Sequence, residues 1–168
     1  WRSKVSNSAN LNRLKLATRQ SLDSYPLIRA FFAKRLQETA DAAWKAAHSR
    51  LFEHLRASVP YWPEGLDGLQ PLYQAVAHGC RSGFYSEAFD VIYLGRILRG
   101  KTGPQAFYST RMLGAHSAEL AAVACFFEAL WSRCPKALGI DVRSFLLTHA
   151  AFCLRALGRL AESVEPMR

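Results

Sequence analysis

The side chains of this 168-residue chain that could do chemistry are scattered, and their spacing limits what they could do. Four cysteines stand at 80, 125, 134 and 153, each in an apolar helical context and none in a Cys-x-x-Cys pair. They read as reduced thiols that pack as small hydrophobes, which points to a cytoplasmic setting. The five histidines form no His-x-x-x-His pair with a carboxylate partner, which argues against zinc. Gly100-Lys101-Thr102-Gly103 lacks the upstream glycine and strand of a phosphate cradle and reads as a tight loop with a positive tip. Glu53 and His54 are adjacent, so on a helix they point in different directions and cannot share a substrate. Ser109, Ser117 and Ser132 sit in no nucleophile elbow. The expectation is a chain with no catalytic constellation, no metal and no cofactor of its own.

Recognition is the better prospect. His78 and His149 lie on largely apolar segments, where a histidine bonded to a carbonyl is the ordinary outcome and a ligand contact the alternative. His78, Arg81, Arg96 and Arg99 could line one side of a groove between helix pairs, with plain surface solvation as the competing reading for the arginines. The aromatics from Tyr73 to Phe152 are expected mostly in the core, with some left on a concave face that would be sticky.

The elements that must position these residues are helices. Pro26 suits a first helical turn, Ser24 could cap it, and Leu27, Ile28, Phe31, Phe32 and Leu36 recur so as to bury one broad face. The preceding stretch, residues 14–23, reads as a strand or hairpin. Residues 42–57 form a second amphipathic helix with Trp44, Ala47, Leu51, Phe52 and Leu55 inward. Two prolines and a glycine between Val59 and Gly65 make that segment the expected linker. From Leu66 a stripe of Leu69, Leu72, Tyr73, Val76 and Ala77 runs to Gly83. Further helices are expected over 83–98, 105–113, 116–130, from a cap at Asp141 to about 157, and from 158 onward.

An internal echo sets the expected architecture. Gly83-x-Tyr85-x-Glu87-Ala88-Phe89 and Gly158-x-Leu160-x-Glu162-Ser163-Val164 correspond position for position, 75 residues apart, about twice a 34-residue tetratricopeptide unit. The fold is therefore expected to be all-α: a tetratricopeptide-like helical-repeat array (α-solenoid) over 66–168, after a region 1–58 that holds the remnant of a winged helix and connecting helices.

The net charge of +9 is uneven: residues 1–58 carry eleven Lys or Arg against four Asp or Glu, and residues 59–168 eleven against nine. A basic first third can attract nucleic acid or an acidic protein surface. No apolar run is long enough to span a membrane, and both ends look cut from a longer protein.

Several stretches together resemble bacterial STAND signalling NTPases of the NB-ARC-like class. Ser24-Tyr25-Pro26-Leu27-Ile28-Arg29 is similar to the His-Asp-Leu-Val-Arg or His-Pro-Leu-Val-Arg motif that closes their winged helix, with Tyr25 at the histidine position. Residues 43–52, 71–80 and 157–168 resemble the divergent helical repeats of that class. The resemblance implies nucleotide sensing by Tyr25 and Arg29, an ATP- or ADP-binding domain upstream, and intramolecular contact with that domain. It also implies repeats that bind a protein or peptide in signalling or defence. A basic winged-helix regulator that binds nucleic acid and docks partners through helices is the alternative.

Overall fold

A computed structural model describes residues 26–167, apart from the side chain of Arg29. Tyr25 and the expected winged-helix remnant lie outside the described residues. The described chain is all-α: its only extended pairing is an isolated bridge between Ala129 and Arg133. Two compact units divide it, Trp1–Asp41 and Ala42–Arg168. The expected linker at 59–65 falls inside the second unit.

In the first unit, helix α1 spans Pro26–Thr39, with proline at its first position, where the missing N–H removes no helical bond. Its expected apolar face is present, but it is not buried. Leu27 is 84% exposed, Phe31 59% and Phe32 61%, with Ile28 and Leu36 also open.

The second unit opens with α2, Asp41–Ala57. Its inward seam is narrow. His48 and Phe52 are buried, Trp44 and Leu55 partly so, and Ala47 and Leu51, expected inside, are exposed. The row 44–48–52–55 is one helical ridge, and Ala47 and Leu51 lie one step round from it. Helix α3, Gly65–Ser82, is strongly amphipathic and buries Leu69, Leu72, Tyr73 and Val76 of its expected stripe; Ala77 is only partly buried, and Ala75 is buried instead. Its end is a Schellman motif: Gly83, at φ +90°, donates to the Cys80 carbonyl and Phe84 to that of Gly79.

A short turn, α4 (Tyr85–Glu87), runs into a π-helix over Ala88–Ile97 instead of the expected α-helix. After a loop, α5 (Tyr108–Arg111) and α6 (His116–Ala124) are shorter than their apolar patterns suggest. Helix α7, Ile140–Ala156, begins after Gly139, and Asp141 is in its first turn, not at its cap. A second Schellman motif closes it, with Gly158 at φ +73° donating to Arg155 and Arg159 donating to Leu154. A 3-10 segment, Glu162–Met167, completes the described chain. In the core, α3 packs on the π-helix and α6, α6 on α7, and α7 on the 3-10 segment.

The two glycines of the echo thus end their helices in the same way, and the residues five positions on, Ala88 and Ser163, are both buried. The residues two positions after each glycine differ: Tyr85 packs against the core, whereas Leu160 is 62% exposed.

Gly79 marks the tightest crossing. A Cβ there would stand 2.8 Å from the Ala88 Cβ and 3.0 Å from the Phe52 ring. We expect Gly79→Ala to cost about 1–3 kcal/mol by overpacking, whereas Gly158→Val meets open space and suffers the backbone strain of positive φ, about 1–2 kcal/mol. Thermal melting of the two variants checks this, with ring repacking visible in the near-UV signal for Gly79→Ala alone.

Candidate functional site

The residues expected to line one groove occupy two separate places. His78, on α3, meets His48 of α2: their Nδ1 atoms are 2.7 Å apart and their rings stack, with Trp44 edge-on to His48. Arg81 is one turn further on, close enough that its charge opposes protonation of both imidazoles. Burial first, then His78 and Arg81, depress His48 to about 4. Two nitrogens at this distance require one imidazole to donate and the other to accept.

Arg96 and Arg99 are buried, so neither surface solvation nor an open groove describes them. Arg96 Nε donates to the Tyr61 carbonyl (3.0 Å), Nη1 to Arg56 (2.7 Å), and Nη2 to Val59 (3.1 Å) and Pro60 (2.8 Å). Arg99 Nη2 donates to the Pro63 carbonyl and Nη1 to Gln105. Its guanidinium lies 3.4 Å from the centre of the Tyr108 ring, whose hydroxyl donates to Glu64. A proline-broken loop leaves carbonyls that no helix can satisfy, and these two side chains satisfy them.

A second group of residues lies outside those expected to form a site. Glu119, on α6, is fully buried. The Tyr73 hydroxyl donates to its Oε1 (3.0 Å) and the Tyr93 hydroxyl to its Oε2 (2.6 Å). His149 Nε2, on α7, stands 3.4 Å from the same Oε2 and makes no hydrogen bond. Burial, then the Glu119 charge, push both phenols well above their usual range, so they remain donors at any ordinary pH. Burial likewise raises the neighbouring Cys153 thiol to about 12, which makes it a poor nucleophile.

The imidazole of His149 is the boundary between this network and a pocket of about 320 Å³. Phe107 and Phe145 lie nearly parallel to it, at interplanar angles of 20° and 8°, and Phe152 lies 5.8 Å away. Arg111 and Arg155 line the pocket with Thr110 and Thr148. Arg111 also lies over the Phe107 ring, and Lys101, the positive tip of the expected tight loop, sits 4.6 Å above Phe145. Phe107 holds a left-handed backbone at φ +58°, a strained conformation for a residue with a large side chain.

One signal for Glu119 is present in the sequence. It interrupts an apolar run, Ala118 to Ala124, at the same helical offset as the buried Ala122 and Val123. Tyr93 and Phe107 carry no such signal. Among the described residues no cluster of three or more His, Cys, Asp or Glu could hold a metal, and no helix is long and apolar enough to cross a membrane. Set against protein-family models, curated proteins and solved structures, the chain gives no match.

The network sets two expected outcomes. Tyr93→Phe removes a donor to a buried charge and should cost about 1.5–3 kcal/mol, and Glu119→Ala, which strands both phenols, about 3–5 kcal/mol. Because both phenols are raised in the folded state, their contribution is whole below pH 10 and lost as pH rises beyond it, so the alkaline fall in Tm should be shallower in Tyr93→Phe.

The histidine pair acts in the opposite direction. His48 is depressed, so below pH 6.5 the unfolded chain takes up a proton that the folded chain refuses. Stability is whole above pH 6.5 and falls toward about 4. His48→Gln should flatten the acid side of a Tm–pH curve in the upper part of that window, before carboxylates titrate. An unchanged slope would mean that the pair is solvated in solution.

Proposed function

We propose that this chain is a non-enzymatic regulatory and sensing segment of a larger STAND-type signalling NTPase, which contacts a protein partner through its helices. The observation that carries the reading is α1. Five large apolar side chains at 27, 28, 31, 32 and 36 form two adjacent i, i+4 rows on one helix face, and all are exposed. An isolated exposed leucine needs no explanation, but a continuous aromatic and aliphatic face of this kind marks a protein contact. It lies in the same segment as the residues that resemble the winged-helix closing motif, which supports an upstream ATPase domain as the surface it meets.

The second helical unit supports the same reading. Its two long helices, α3 and α7, both end in Schellman motifs at the glycines of the sequence echo, and a tetratricopeptide-like stack of helix pairs would serve as a binding surface. The buried network around Glu119 is a stabilising device in this reading: the tyrosines are fixed as donors and Cys153 is inert.

The intact gene product tests this. It is expected to bind and turn over ATP, whereas residues 1–168 alone do neither. Phe31→Glu with Phe32→Glu in the intact product should raise turnover by releasing an inhibitory contact. Equal turnover in the two forms, or an intact product that binds no nucleotide, overturns the reading.

A further inference from the structure

The pocket beside His149 combines aromatic walls with cationic side chains. Three features define it. Its walls are aromatic: Phe107, Phe145 and Phe152 line it around a buried imidazole, with cations over the first two rings. Its charges are of one sign. Arg111 and Arg155 line it, Lys101 stands over Phe145, and no carboxylate among the described residues lines it. The Glu119 charge lies behind His149 and is taken up by two phenol hydroxyls. Its size is modest: about 320 Å³.

From these observations we infer that the pocket is a binding site for a small aromatic carboxylate, its ring against the phenylalanine walls and its carboxylate on Arg111 and Arg155. A planar guanidinium fork matches a carboxylate through two parallel N–H donors, and aromatic rings accept a flat ligand by offset stacking. The left-handed backbone at Phe107 is a strained conformation at the pocket wall, of the kind that collects at ligand sites.

Phenylacetate is the probe, with phenylacetamide as the neutral match, cyclohexylacetate as the non-aromatic one, and a short peptide ending in phenylalanine as the macromolecular one. Titration calorimetry on the chain should give a phenylacetate Kd at or below about 1 mM, with a matching rise in Tm. Phenylacetamide and cyclohexylacetate should each bind at least about tenfold more weakly. Arg111→Gln with Arg155→Gln, both exposed residues whose loss leaves the fold intact, should weaken phenylacetate by at least about tenfold at an unchanged ligand-free Tm. No phenylacetate binding, equal binding of the amide, or indifference to the arginine pair overturns the proposal. A peptide that binds more than about tenfold tighter than phenylacetate also overturns it, in favour of a chain terminus as the ligand.

Discussion

The carboxylate of Glu119 is the constraint on which the second unit depends. A fully buried carboxylate costs several kcal/mol of lost hydration unless donors replace the water. The donors come from different elements: Tyr73 from α3 and Tyr93 from the π-helix, with His149 of α7 at ion-pair distance. Slide any of these helices by one residue against α6 and a phenol or the carboxylate is left unpaired in an apolar interior. Apolar packing of Leu72, Ile92, Val123 and Leu154 tolerates small shifts in register. The polar contacts do not, because hydrogen bonds fail over a few tenths of an ångström while dispersion declines gradually. The apolar side chains supply most of the favourable free energy of this core, and Glu119 selects one arrangement of it.

The π-helix connects that centre to the loop at 56–65. In an α-helix, residues three apart lie on nearly the same face. The wider π winding turns them further apart. Tyr93 and Arg96 are three residues apart, yet one hydroxyl enters the Glu119 network while the other side chain caps the carbonyls of the opposite loop. An α-helix here would satisfy one of these and strand the other. The Trp62 indole, which donates to the Gly95 carbonyl, takes up an acceptor on this helix from outside. The unusual winding is thus matched by side-chain donors at both of its faces.

Sequence pattern conveys the class of fold and most of its helices, because apolar periodicity is strong at Leu69, Leu72, Tyr73 and Val76 and glycine stops the chain cleanly at Gly83 and Gly158. It conveys little of the polar interior. Arg96 and Arg99 read as surface charge because a cation on a helix is ordinarily solvated, and nothing local reveals four carbonyls waiting across a loop 35 to 40 residues earlier. The prolines at 60 and 63 read as a linker for the same reason. They break a helix, but whether the broken segment is loose or pinned depends on distant donors. On α1 the periodicity is real and the inference from it fails, since an amphipathic pattern shows that a face needs covering and not that this chain covers it.

The division of labour that results explains why the chemistry-bearing residues look scattered. Those with the greatest chemical potential, Glu119, Tyr93, Arg96 and Cys153, are locked into folding roles by burial. What remains adaptable is arranged around His149: it sits at the edge of the locked network, and its imidazole is flanked by phenylalanine rings that open on a cationic pocket. Glu119 cannot move without unpairing two tyrosines, so it holds a negative charge fixed beside His149 Nε2. The carboxylate that fixes the register of four helices thus also stands directly behind the pocket floor.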